Sequence, residues 1–495
     1  MIYRRGYLFV IVTLCILICG LVACHEEKKP NVLFIAVDDL RPELGCYGSS
    51  IIQSPNLDGL AAKGRLFKNH FVQIPTCGAS RHSLLTGMRP TSTTHLSNEA
   101  THTLTSGLPE GENPESFIHH LKRNGYYTVG IGKISHHVDG LLYGYTDSVG
   151  TKRELPHSWD EMLFDPGKWE TGWNAFFGYA DGENRQSMNR QVKPYECADV
   201  LDEGYPDGLT ANLAVEKLKE LKEKGEPFFL GVGFFKPHLP FNAPKKYWDL
   251  YDRAEIPLSP TPFVPANVNK KSLHGSGELN GYRLTDEKGG LDGPISDAYA
   301  AKLRHAYFAS VSYVDAQIGK VLDELKRQDL DKNTIVVVWG DHGWHLGDQL
   351  VWGKHTIFEN ALRSAFIIKT PDLVKKGIGT DAIVESLDLY PTLMELCGVE
   401  APVKLDGESL VSLLENPSAG KDKVAYSYFR NGLSVRTDKY RLTKYFRKEE
   451  PVIELYDHLN DPYESVNVAI EKPEIVKQLM PLLEKGNTGL YLKTK

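Results

Sequence analysis

Four apolar runs punctuate the chain, and each ends in polar residues capable of chemistry. Asn31–Val37 stops at Asp38-Asp39, and Tyr127–Ile131 stops at Gly132-Lys133, followed by His136-His137. Pro227–Phe235 stops at Lys236-Pro237-His238, and Thr334–Trp339 stops at Gly340-Asp341-His342-Gly343. Continuous apolar runs suit strands buried on both faces. Leu209–Lys224, with Leu213, Leu218 and Leu221 on one face among Lys and Glu, reads as a helix, as does Tyr299–Arg327. Strands alternating with helices predict an α/β fold with a largely parallel or mixed sheet covered on both sides. Ligands of such sheets bind beyond the carboxyl ends of the strands. Asp, Lys and His at four strand ends therefore predict one shared site.

Elsewhere the pattern is weaker. Asp139–Pro206 and Glu255–Pro294 are rich in Gly, Pro, Trp and Tyr and lack periodicity. Such stretches build substrate walls or are only surface loops. Lys439–Phe446 and Val452–His458 predict hairpin strands. Pro473–Glu484 predicts a closing helix, with Pro473 in its first turn and Pro481 kinking or shortening it. Asn416–Gly420 marks a boundary near residue 418, separating a main domain, 31–418, from a small α+β unit, 419–495.

The first residues read differently. Arg4 and Arg5 precede an uncharged stretch from Gly6 to Ala23, the form of a secretory signal. It ends in Leu21-Val22-Ala23-Cys24, which resembles a bacterial lipobox, so 1–23 is expected to be removed, Cys24 lipidated and 24–30 left as a tether. A plain transmembrane anchor is the competing reading, since the stretch is near the lower limit for spanning a bilayer. Lipidation implies the bacterial cell envelope, at the outer membrane or a periplasmic face, with the cell surface as a further alternative.

Charge and cysteine count then narrow the classes. The 495 residues carry 57 Lys+Arg and 64 Asp+Glu, a formal charge of −7 that becomes −9 once Arg4 and Arg5 leave with the signal. That balance argues against a general nucleic-acid binder. Seven cysteines are too few for a disulfide scaffold. Cys15 and Cys19 leave with the signal, and Cys24, Cys46, Cys77, Cys197 and Cys397 remain.

Two adjacent acids at a buried strand end are costly unless a cation neutralises them. Asp38 and Asp39 offer hard oxygen ligands, and Asp341 with His342 can complete a shell. Oxygen donors favour Ca²⁺ or Mg²⁺, whereas a nitrogen from His342 pulls towards Zn²⁺ or Mn²⁺. Cys77 opens Cys77-Gly78-Ala79-Ser80-Arg81, where small residues precede an apolar turn. That places it at a helix N-terminus, where a thiolate or anionic adduct is favoured and Arg81 can turn back to the same anion. A buried structural cysteine is the plainer reading.

Cys77–Arg81 with Leu85-Thr86-Gly87 resembles the signature of the type I sulfatases. Asn31–Pro42, Gly45–Gly48, Ser54–Asp58, Gly132–His136, Phe235–Phe241, Gly340–Trp344 and Trp352–Lys354 also resemble this family, and iduronate-2-sulfatase more than the arylsulfatases. Glu454–Asp457, Asp461-Pro462 and Asn467 resemble its C-terminal end. The match covers nearly all of residues 30–470. One position departs: the usual proline two residues after the cysteine is Ala79.

The resemblance implies an alkaline-phosphatase-like fold, with a large mixed β-sheet flanked by helices and a smaller C-terminal α+β subdomain. It implies hydrolysis of sulfate esters on saccharides, either uronate 2-O-sulfate of glycosaminoglycans or a sulfated algal polysaccharide such as ulvan. Cys77 would be converted to formylglycine by a dedicated maturation enzyme; the hydrate binds the metal and attacks sulfur. The metal would be Ca²⁺, with Mg²⁺ or another divalent ion as the alternative, held by Asp38, Asp39, Cys77, Asp341 and His342. Arg81, Lys133 and Lys354 would surround the sulfate, with Asp341 as base. His238 would protonate the leaving sugar oxygen, and His136 would help expel sulfate. His137, His345 and His355 are further pocket candidates. A phosphatase or phosphonate monoester hydrolase of the same fold, and a non-catalytic glycan-binding lipoprotein, are the other readings.

Overall fold

A computed structural model describes residues 29–491 except 107, 113, 143–149, 403–404 and 421–422. The expected signal segment, Cys24 and the tether as far as residue 28 lie outside the described residues.

The first apolar run is strand β1 (Asn31–Val37), buried throughout. Leu33, Ile35 and Val37 join one core with Val129, Leu230 and Val338. Val32, Phe34 and Ala36 join a second with Phe229, Val337 and Trp339. Because successive side chains point to opposite faces and both are covered, the run has no polar alternation.

The main sheet adds β2 (Arg65–Phe71), β3 (Tyr127–Gly132), β4 (Glu161–Leu163), β5 (Phe228–Phe234), β6 (Thr334–Gly340), β7 (Phe366–Lys369) and β8 (Thr380–Glu385). The spatial order is β8-β2-β7-β6-β1-β5-β3-β4. β1 is central and parallel to both neighbours, with Val37 opposite Phe234 and Gly340. β7 alone runs against the rest. Helices α1 (Pro55–Ala61), α2 (Cys77–Thr86), α3 (Phe117–Arg123), α4 (Pro206–Lys224), α5 (Asp297–Arg327) and α6 (Leu389–Leu396) cover it. α4 and α5 supply Ala211, Leu218, Val311 and Val314 to the first core. α2, α3 and α6 supply Leu84, Leu85, Phe117, Leu121 and Leu393 to the second. α5 starts two residues before the apolar pattern because Ser296 caps it, accepting the Tyr299 N–H.

The C-terminal unit is an antiparallel sheet of β9 (Ala425–Phe429), β10 (Gly432–Arg436), β11 (Tyr440–Tyr445) and β12 (Ile453–Asp457), packed on α7 (Pro473–Lys485). α7 runs through Pro481 to Lys485 and is not shortened there. Leu479 and Leu483, on either side of the proline, are both in the C-terminal core, and that burial outweighs a lost helical hydrogen bond.

Candidate active site

The polar residues ending the strands converge at one edge of the sheet. Asp38 and Asp39 follow β1, Lys133 follows β3, His238 comes shortly after β5, and Asp341 and His342 follow β6; all are buried. Gly132 permits the sharp exit to Lys133, since its φ is +73° and a Cβ would lie 2.3 Å from Gly233 O. Cys77 joins them as the first residue of α2, 3% exposed, with Sγ 3.2 Å from His342 Nε2. Ala79 belongs to the C-terminal core with Ile74 and Leu433, so the departing position ties the nucleophile helix to that subdomain.

Asp38, Asp39, Cys77 and His342 present ligand atoms all within 4.8 Å of one another. Asp341 borders the cluster: Oδ1 accepts the Asp39 N–H at 3.0 Å and lies 3.8 Å from His342 Nε2, while Oδ2 accepts Arg81 Nε–H at 3.0 Å. Asp39 is held in the left-handed region, φ 59°. Its carbonyl accepts the Tyr307 hydroxyl at 2.7 Å, the kind of surrounding restraint that keeps a strained residue at a functional site.

Three cations face these acids. Lys133 Nζ is 2.5 Å from Asp38 Oδ2, and Arg81 Nη2 is 3.5 Å from Asp38 Oδ1. Lys354 Nζ is 3.1 Å from Asp39 Oδ1 and 3.4 Å from Glu278 Oε1. Burial would raise Asp38, but Lys133, His238 and Arg81 outweigh it and hold this carboxyl well below its usual range. Burial raises Asp39 well above that range against the pull of Lys354 and His342. Burial and then Asp38 raise Asp341 as well. With all four ionised, Asp38, Asp39, Asp341 and Glu278 would exceed Arg81, Lys133 and Lys354 by one charge, and the buried Asp38 Oδ1 has no hydrogen-bond donor among the described residues. A divalent cation fits this donor set, because it would offset the excess and keep Asp39 ionised.

The Cys77 thiol differs from the sequence expectation. Burial, then Asp38, push it up to about 12, against the lowering expected at a helix N-terminus.

His238 Nδ1 faces Leu239 O at 2.5 Å, and Nε2 faces Glu278 Oε1 at 3.2 Å. Burial, then Lys354, lower this histidine to about 4. His136 is buried beside Trp173 and His137, ring centroids 5.8 Å away in each case, and burial holds it well below its usual value. His137 sits beside His136 and Trp173, and His345 and His355 also have partners of their own. His137 donates its backbone N–H to Glu154 Oε2 at 2.8 Å, His345 Nε2 is 2.7 Å from Thr356 Oγ1, and His355 stacks on Phe429 of β9 at 5.7 Å.

Several site residues escaped the sequence reading. Glu278 comes from the second irregular stretch, and Phe176 from the first. The Phe176 ring lies 4.3 Å from Lys133 Nζ and 4.6 Å from the His238 ring, so both stretches wall the site. Glu278 is a lone acid in an aperiodic stretch, and nothing in the pattern singles it out. Lys236 Nζ donates to His238 O at 3.0 Å and Pro240 O at 2.6 Å, bracing the His238 loop. Asp207 accepts the backbone N–H groups of Phe235 and Lys236, each at 2.8 Å.

Comparison with known proteins bears on this constellation directly. The sulfatase family model matches residues 30–399, and the model of the N-sulphoglucosamine sulphohydrolase C-terminal region matches residues 340–488. The chain belongs to the sulfatase family. It is a sulfuric ester hydrolase of the type I class. It is 33% identical over 478 residues to a sulfatase of Formosa agariphila, covering 92% of this chain and 87% of that protein. It is also 33% identical over 401 residues to iduronate 2-sulfatase of Mus musculus, covering 75% and 69%. A solved protein in complex with its substrate D-glucosamine-2-N,6-O-disulfate shares the fold, with a TM-score of 0.70 at 22% identity over 93% of this chain and 98% of that one. Phosphonate monoester hydrolase of Agrobacterium radiobacter shares it with a TM-score of 0.73 at 21% identity over 93% and 96%. The sulfatase thus has the expected alkaline-phosphatase-like architecture, a large mixed sheet between helices plus a small antiparallel C-terminal subdomain.

Proposed function

We propose that this sulfatase removes sulfate from sulfated saccharides released from polysaccharide, with a uronate 2-O-sulfate of glycosaminoglycan or ulvan type as the substrate class. The observation that carries the reading is Cys77 at the head of α2, buried against His342 among Asp38, Asp39 and the cations Arg81, Lys133 and Lys354. Likeness to iduronate 2-sulfatase supports the substrate class. So does an ulvan-active sulfatase of Formosa agariphila, 28% identical over 91% of this chain and 78% of that protein.

Conversion of Cys77 to formylglycine by a maturation enzyme would replace the thiol with a hydrated aldehyde, which supplies two hydroxyls, one to attack sulfur. Ca²⁺, or Mg²⁺ in its place, held by Asp38, Asp39, Asp341, His342 and residue 77, would polarise the sulfate and offset charge on its oxygens. Arg81, Lys133 and Lys354 bind the anion from positions their carboxylate partners keep fixed. Asp341 accepts the proton of the attacking hydroxyl, pinned for this by the Asp39 N–H and Arg81. His238 Nε2 delivers a proton to the leaving sugar oxygen. His136 takes the proton of the second hydroxyl as sulfate is expelled. The same reading anchors the enzyme at the bacterial cell envelope through lipid on Cys24, supported by Arg4, Arg5 and the run Leu21–Cys24.

Incubating the matured full chain with a panel of sulfated disaccharides and matching phosphate esters tests the proposal. Sulfate release, fastest from uronate 2-O-sulfates, is expected. Release of phosphate without sulfate, or sulfate release that spares every uronate 2-O-sulfate, would overturn it.

A further inference from the structure

The edge of the main sheet opposite the active site carries a feature the chemistry does not use. Lys29 and Pro30 lead into β1 there, and Asn31 pairs with Thr334, the first residue of β6. β7 runs the other way, so it ends at this edge, with Lys369 opposite Val336. The loop 370–379 therefore lies where the chain enters the fold, and Lys29 and Pro30 line one cleft with Pro371–Lys375. The Gly377 N–H donates to Gly64 O at 3.1 Å, fixing the loop to the turn before β2. Asp38 and Asp341 leave the other ends of β1 and β6, roughly 20 Å away at about 3.3 Å per residue.

Val374 in this loop is 89% exposed, the most exposed large apolar side chain among the described residues, and Ile378 is 49% exposed. Lys375 and Lys376 stand exposed between them, with Lys63 exposed on the adjoining turn. An isolated exposed valine is ordinary on a protein surface. Here the exposed valine, the isoleucine, the lysines and the entry of the chain coincide at one edge.

We propose that this edge is a membrane-facing surface, with Val374 and Ile378 entering the headgroup region of a phospholipid bilayer and Lys375 and Lys376 meeting anionic headgroups. The inference rests on Cys24 bearing lipid. Seven Cα–Cα steps separate Cys24 from Asn31, a reach of at most about 25 Å, which keeps this edge near the bilayer. The active site then opens away from the membrane, towards polymeric substrate.

Hydrogen–deuterium exchange on the full mature chain, with and without vesicles of phosphatidylethanolamine and phosphatidylglycerol, tests this. Amides of 370–379 are expected to slow at least about threefold on vesicles, with active-site peptides unchanged. The double substitution Val374→Asp, Lys375→Glu should abolish the slowing and leave sulfate release intact. Vesicle-bound, lipidated protein with an unslowed 370–379 segment, or slowing that survives the double substitution, would overturn the surface. The mass of the N-terminal peptide reports the anchor separately: lipid-free Cys24 with 370–379 still slowed removes the anchor and keeps the surface, and lipid-free Cys24 with no slowing removes both.

Discussion

Glu278 Oε1 lies 3.2 Å from His238 Nε2, while Nδ1 of the same ring lies 2.5 Å from Leu239 O. A carbonyl can only accept, so Nδ1 carries the hydrogen of the neutral ring and Nε2 is the atom that gains or loses a proton. Glu278 fixes the ring from that side and favours its protonated form against burial and Lys354. It also holds Lys354, 3.4 Å away.

Glu278→Gln is therefore expected to lower kcat by about 10-fold, part of the roughly 10²–10⁴-fold a general acid supplies, with a smaller change in KM. Glu278→Asp should restore part of the loss. Steady-state kinetics of sulfate release checks both; an unchanged kcat in Glu278→Gln would remove this role.

Metal removal should act on activity and stability together. Chelation leaves Asp38, Asp39, Asp341 and Glu278 facing one cation too few, so sulfate release should fall by at least about 10²-fold and the melting temperature should drop. Both should return with Ca²⁺. Calorimetry alongside the activity assay reads the two effects.

The catalytic and C-terminal units are joined by a buried charge network. Arg441, on β11, donates to Glu464 Oε1 at 2.7 Å and also contacts Glu359, while Arg436 Nε donates to Glu359 Oε2 at 3.0 Å. Arg441→Ala removes the cation that buried Glu359 and Glu464 share, leaving them Arg436 and His458, and should cost up to roughly 3–5 kcal/mol. Denaturant titration of the full chain measures it.

How much was legible from sequence varied with the kind of residue. Asp38, Lys133, His238 and Asp341 could be found because strands buried on both faces appear as unbroken apolar runs, and the first polar residues after them mark the site edge. Cys77 could be placed at a helix start, but its protonation could not, because that depends on burial beside Asp38. Glu278 and Phe176 reach the site from aperiodic stretches, where only tertiary packing assigns a position. α7 continues past Pro481 because Leu479 and Leu483 are buried by strands distant in sequence. β9 and β10 were not anticipated at all, since each strand gains its partner only once the subdomain assembles.

His70 is expected to make the fold less stable in acid. This side chain is fully buried, its Nε2 2.9 Å from Ser386 Oγ, and burial lowers it to about 3. With the folded value depressed below the unfolded value of about 6.5, its contribution is complete above pH 6.5 and is lost as pH falls, because the unfolded chain binds the proton first. Between pH 7 and pH 4.5 this one group should cost roughly 2–3 kcal/mol. His70→Gln, less stable at pH 7, should lose correspondingly less on acidification. Urea midpoints at the two pH values give the comparison.

Turnover depends most on what residue 77 has become in the active enzyme. Mass spectrometry of the tryptic peptide ending at Arg81, from protein that releases sulfate, measures this directly. An aldehyde or its hydrate at residue 77, in proportion to specific activity, is the predicted result; full activity with an unmodified Cys77 thiol would contradict it.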